Sequence, residues 1–158
     1  MSTGDEIQLV TFRLAGHDFA VNIFQVERVL RYEAPSPLPK APEFLEGVVP
    51  YGEAVVPVID LRKRTGAEAP VRDETRIMIL EVENERVGVV VDAVLEVLKV
   101  PAERVAPPPK IVQGLAAEYI SGVVTLDART VVVLAAGKLL SSKERLELDQ
   151  LTVEAAHE

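Results

Sequence analysis

The chain has 158 residues, of which 48% are hydrophobic and only 4% aromatic, and it contains no Cys or Trp. Its 17 Lys and Arg against 25 Asp and Glu leave a formal charge of −8, which repels phosphate backbones and anionic membrane surfaces and argues against nucleic acid as a partner. Without Cys there is no disulfide, thiolate metal ligand or cysteine nucleophile, and the length suits one cooperative body with a core of Val, Leu and Ile.

In chain order, residues 1–6 are acidic, lack the basic flank and apolar run of a signal peptide, and read as a disordered tail. Val10, Phe12 and Leu14 alternate with Thr11 and Arg13 at the two-residue period of a half-buried strand. A turn at 15–18 and a strand at 19–22 complete a hairpin. Ile23, Val26, Val29 and Leu30 then fall at a spacing of three to four, which predicts the apolar face of a short helical turn. Pro35, Pro37, Pro39 and Pro42 make 34–42 an extended connector, because proline fixes φ and biases the residue before it away from the α region. Residues 47–61 read as two strands about a turn at 50–53, where Pro57 is tolerable only at an edge or a bulge. The polar stretch 63–73, with Gly66 and Pro70, is the predicted boundary between halves.

Beyond it the plan is repeated. Strands are predicted near 77–82 and 86–91, an apolar helical turn at 94–98, a proline-stiffened connector at 101–114, and strands near 122–126 and 130–135. Ser141 followed by Glu144 has capping-box spacing for a terminal helix over about 141–151, and 152–158 read as a frayed end.

The repetition is legible residue by residue. The run from Asp18 to Leu30 returns from Arg86 to Leu98, pairing Phe19 with Val87, Val21 with Val89, Val26 with Val94 and Val29 with Val97. Phe44-Leu-Glu-Gly-Val-Val49 returns as Tyr119-Ile-Ser-Gly-Val-Val124. A long period seen twice argues against a solenoid or propeller, which needs several shorter repeats to bury a continuous core. It predicts a mainly β single domain over 7–151 with two related subdomains, about 12–70 and about 74–140, packed across a seam.

The chain offers little chemistry. The histidines are His17, in a turn, and His157, beside the end, and neither has a triad around it. Glu81, Glu83 and Glu85 alternate on one strand face and read as a solvated surface, not a metal site. No glycine-rich phosphate cradle is present. The expectation is a non-enzyme with no cofactor and no metal. Nor does any apolar run approach the roughly 18 to 20 residues that span a bilayer, so a soluble, cytoplasmic protein is expected. Val10, Ile23, Val26 and Val29 can each be core, or as a set can line a groove for an amphipathic partner helix. A second reading makes the seam a small-ligand or regulatory site.

Phe44-Leu-Glu-Gly-Val-Val49, Val56-Pro-Val-Ile-Asp-Leu-Arg62, Val87-Gly-Val-Val-Val-Asp-Ala-Val94 and Glu118-Tyr-Ile-Ser-Gly122 resemble, in order and spacing, the motifs of the CheW-like adapters of bacterial chemotaxis, from about residue 8 to 140. The resemblance implies two five-stranded, SH3-like β-barrels sharing a core, and a non-catalytic scaffold in a two-component motility pathway. Its implied partners are the regulatory domain of a CheA-type histidine kinase and the cytoplasmic domain of a methyl-accepting chemoreceptor, with recruitment to receptor arrays. It also implies that Val10, Ile23, Val26, Val29 and Gly47 line the receptor groove. Where that family reads Gly-Val-Ile-Asn-Leu-Arg-Gly, this chain reads Gly47-Val-Val-Pro50-Tyr51-Gly52-Glu53. The turn Pro50, Tyr51, Gly52 and Glu53 is therefore expected to be an altered interface, a cation lost and an anion gained.

Overall fold

A strand covered on both sides needs apolar residues on both faces of its pleat, and several segments of this chain meet that condition. The computed structural model describes residues 5–64, 70–107 and 120–139. Among them are β1 (Glu6–Leu14), β2 (His17–Asn22), β3 (Val26–Arg31), β4 (Leu45–Tyr51), β5 (Ala54–Asp60), β6 (Arg76–Val82), β7 (Glu85–Val91), β8 (Ala93–Pro101), β9 (Ile120–Leu126) and β10 (Arg129–Leu134). One turn of helix, α1 (Leu61–Arg64), follows β5. The strands form two five-stranded sheets, ordered β8-β1-β2-β10-β9 and β3-β6-β7-β5-β4. The mainly β fold of two five-stranded units is thus as expected.

Each sheet curls around its own core, and a third core lies between them. Leu9, Ala20, Val100, Val124, Val131 and Val133 fill the first, and Val49, Val56, Val58, Ile77, Ile79 and Val90 fill the second. Phe12, Leu14, Phe19, Val21, Met78, Leu80, Val89 and Val91 meet between the sheets. Along β6 the alternation is visible one residue at a time, Ile77 and Ile79 pointing into the barrel, Met78 and Leu80 toward the other sheet. Thr11, expected at a solvated position, is fully buried on β1, and its hydroxyl is satisfied by the Glu96 backbone at 2.9 and 3.0 Å.

A division near residue 70 does not separate the sheets. The β1–β2 hairpin of the first half completes the sheet made by β8, β9 and β10, and the β6–β7 hairpin of the second half completes the sheet made by β3, β4 and β5. The two halves exchange hairpins, so the structural units cut across the proposed 12–70 and 74–140 segments. The exchange is symmetric under the repeat: β2 corresponds to β7, β8 to β3, β9 to β4 and β10 to β5, in the same sheet order.

The predicted helical turns are corrected as well. Only Ile23–Gln25 is helical, as a single 3-10 turn capped by the Asn22 side chain, and 26–31 and 93–101 are strands. The cause is a β-bulge at the same place in each copy, between Val26 and Arg28 of β3 and, opposite Val10 to Phe12, between Val94 and Val97 of β8. An extra residue in a strand carries residue i+3 to the face of residue i, which imitates helical spacing. All four repeat pairs then share an environment: Phe19 and Val87, with Val21 and Val89, are core, Val26 and Val94 are half-buried, and Val29 and Val97 are 39% and 48% exposed.

The glycine repeat has an equally local reason. Ser36 forms a bridge with Val48, and Ala106 forms one with Val123, so each connector crosses the edge strand beside the repeated glycine. A Cβ on Gly47 would stand 2.4 Å from the Ser36 carbonyl oxygen, and one on Gly122 would stand 2.4 Å from Val105 Cγ1. Because Val48 spends both backbone groups on Ser36, its partner Pro57 faces a non-hydrogen-bonded position, and the parallel ladder to β7 begins only at Val58. Proline therefore removes no ladder bond to β4. The expected tail is shorter than 1–6, since Glu6 opens β1 and the Asp5 carbonyl accepts from Ala102 N at 2.7 Å. Residues 1–4, the expected terminal helix and the frayed end lie outside the described residues.

Candidate partner-docking surface

β3 is the edge strand of its sheet, and the 3-10 turn that leads into it splits its apolar residues into two directions. Phe24 N donates to Asn22 Oδ1 at 2.9 Å, which holds the turn. Ile23 and Val26 pack against the inter-barrel core, half-buried, whereas Phe24 points away and is 90% exposed. Val29, opposite Met78 in the register, lies at the margin of the same inter-barrel face. Ile23, Val26 and Val29 thus form a graded apolar edge. Val10 is only 6% exposed and belongs to the core behind it, paired across the ladder with Val97. Gly47 is buried, and the space a side chain would need is taken by Ser36.

The turn of interest joins β4 to β5. Pro50, Gly52 and Glu53 are exposed and Tyr51 is half-buried, and Gly52 supplies φ +63° to the tight connection. Tyr51 reaches across the barrel mouth to the opposite edge strand. Its hydroxyl bonds to the Glu27 carboxylate, the main cause that holds the carboxyl below the ordinary glutamate range and lifts the phenol above its own. Arg86 completes the group, with Nε 2.8 Å from Glu27 Oε2 and its guanidinium carbon 5.6 Å from the Tyr51 ring centroid. The β4–β5 turn is therefore clasped to β3 and β7. Beside it, a hollow of about 250 Å³ is lined by Leu30, Arg31, Glu33, Val49, Pro50 and Ile77.

Sequence reasoning did not single out Glu27, Arg86 or Phe24. Glu27 and Arg86 are far apart in the chain, and they meet because β6 pairs with β3 on one side and β7 on the other. Phe24 sits between two inward-facing apolar residues and carries no local sign of its exposure. The seam proposed for a small ligand is filled by side chains such as Phe12, Leu14, Met78 and Val91, all fully buried. Among the described residues no cluster of three His, Cys, Asp or Glu is placed to hold a metal ion, and no helix is long and apolar enough to cross a membrane.

The profile of the CheW-like domain family matches residues 8–144. The chain belongs to the CheW-like family. Among its relatives, the chemotaxis protein CheW of Treponema pallidum is 34% identical, covering 96% of this chain and 92% of that one. The chemotaxis protein CheW of Klebsiella aerogenes is 31% identical over 91% of this chain and 87% of its own. The crystal structure of the scaffolding protein TtCheW from Thermoanaerobacter tengcongensis superposes with a TM-score of 0.76 at 29% identity, covering 83% of this chain and 90% of that one. CheW-like proteins are non-catalytic scaffolds of chemotaxis, and this chain is such an adapter, not an enzyme.

Proposed function

We propose that this CheW-like adapter couples the helical cytoplasmic tips of chemoreceptors to the regulatory domain of a CheA-type histidine kinase, as a cytoplasmic component recruited to receptor arrays. The observation that carries this reading is the apolar margin of β3, where Val29 stands 39% exposed beside half-buried Ile23 and Val26. A strip of this kind suits the apolar face of an amphipathic helix. Val10 lies in the core that Ile23 and Val26 pack against, and Gly47 is buried on β4 beneath Ser36, so neither itself faces a partner.

The turn Pro50 to Glu53 borders this edge through the Tyr51–Glu27 contact and tunes which partner is held. Titration calorimetry of the purified protein against the cognate receptor's cytoplasmic fragment, and separately against the kinase regulatory domain, tests the proposal. Binding to both is expected, and Val29→Asp should weaken the receptor arm at least tenfold while leaving the fold intact. Absence of binding to either partner sinks the coupling function. Gly52→Arg combined with Glu53→Gly should strengthen whichever interface the altered turn has weakened, and unchanged affinities would clear the turn of that role.

A further inference from the structure

Arg31 of β3 and Arg76 of β6 stand directly opposite each other in the strand register. Like charges so placed are destabilising. Neither charge is neutralised within the described structure. Arg76 Nη1 donates to the Asp73 and Thr75 carbonyl oxygens at 2.6 and 2.9 Å, and the exposed Arg31 side chain makes no hydrogen bond or ion pair there. Glu33, Asp73 and Glu74 flank the pair in sequence, yet none forms an ion pair with it.

The repeat supplies an internal control. The corresponding place in the other sheet pairs Gln8 with Lys99, one cation facing a neutral amide. The fold is satisfied without two opposed cations, so their presence in a chain of net charge −8 needs another reason. Strand alternation puts Arg31 on the same face as Val29, two residues earlier on β3. The face thus combines an exposed apolar contact with an unneutralised pair of guanidinium groups, a geometry complementary to carboxylate.

We propose that Arg31 and Arg76 form a clamp for an Asp or Glu side chain on the receptor helix that packs against Val29. The naming of the receptor rests on the coupling function above. A carboxylate between the two guanidinium groups replaces a repulsion with two charge-assisted hydrogen bonds, which makes the free protein's unfavourable pair a source of selectivity for an acidic partner.

The test is calorimetric titration of the wild type, Arg31→Gln, Arg76→Gln and Lys99→Gln with the cognate receptor's cytoplasmic fragment and, separately, with the kinase regulatory domain, at low and high salt. Each arginine variant should weaken receptor binding about three- to tenfold and flatten its salt dependence. Lys99→Gln should leave both unchanged. The melting temperature of Arg31→Gln should equal or exceed that of the wild type, since a repulsion has been removed and no side-chain bond is lost, and this excludes misfolding as the cause of its weaker binding; Arg76→Gln also gives up its bonds to the Asp73 and Thr75 carbonyl oxygens, so its binding is compared with its own melting temperature. Equal receptor affinities across all four proteins overturn the clamp and leave the coupling function standing. Losses seen only with the kinase domain overturn the receptor as its occupant. A wild type that binds neither partner overturns the coupling function itself, and the clamp's partner with it.

Discussion

Arg62 and Asp60 meet through two parallel hydrogen bonds, Nε to Oδ1 at 2.9 Å and Nη2 to Oδ2 at 2.8 Å, with Arg62 only 1% exposed. The remaining guanidinium nitrogen reaches Asp92 Oδ1 at 3.1 Å and the Pro70 carbonyl oxygen at 2.6 Å. Asp92 accepts in turn from Ala15 N at 2.8 Å, in the turn of the other sheet's hairpin. The network fastens the end of β5 to the β1–β2 hairpin that the first half contributes to the sheet of β8, β9 and β10. Bonding to Asp60 is the main reason the guanidinium is held even more firmly protonated than usual.

Removing the cation from this network leaves a buried carboxylate without its partner. Arg62→Ala should cost about 3–5 kcal/mol, the range for breaking a buried pair on one side. Urea unfolding monitored by circular dichroism measures it, and a loss below about 1 kcal/mol would show that the network carries little of the stability.

The two repeated glycines should differ in their tolerance of a methyl group. Gly47 combines φ +147° with a backbone oxygen 2.4 Å from its prospective Cβ, whereas Gly122 meets first the branch of Val105, a side chain, with the Ala106 carbonyl oxygen farther off at 3.0 Å. Backbone strain at the first adds to overpacking at both, so Gly47→Ala is expected to cost about 2–4 kcal/mol and Gly122→Ala about 1–3 kcal/mol. Melting curves of the two variants decide the order, and a reversed order would assign the strain to the wrong connector.

Glu27 makes the clasp at the β4–β5 turn dependent on pH. Its carboxyl is held below the ordinary glutamate value of 4.5, first by the Tyr51 hydroxyl and also by Arg86. A lowered folded-state value means that the clasp contributes in full above that ordinary value and fades as pH falls through the lowered one. The stability difference between wild type and Glu27→Gln should therefore be constant at neutral pH and shrink in acid. NMR titration of the Glu27 carboxyl should show its midpoint rising in Tyr51→Phe; an unmoved midpoint would remove Tyr51 as the main cause.

Hairpin exchange predicts that the halves are not independent. Fragments 1–72 and 73–158 each hold three strands of one sheet and the hairpin of the other. Each alone should lack a cooperative melting transition, and an equimolar mixture should regain one, as followed by circular dichroism. Cooperative melting of either fragment by itself would contradict the exchange as a requirement for folding.

The sequence by itself determined where eight of the ten described strands lie, that the plan is repeated, and that His, Cys and phosphate-cradle chemistry are missing. These follow from neighbours in the chain: Met78 and Leu80 face one side because Ile77 and Ile79 face the other. The family motifs carried the two-barrel fold and the adapter role in the same local way. Only the tertiary structure decided that β3 and β8 are strands where spacing suggested helix, because a bulge and a helical turn give the same short apolar period. It also decided which hairpin completes which sheet, that Val10 is sealed in the core while Val29 is open, and that Tyr51 meets Glu27 and Arg31 opposes Arg76. Those relationships join residues distant in the chain through strand order and barrel closure, and local periodicity contains no information about a strand's partner across a sheet.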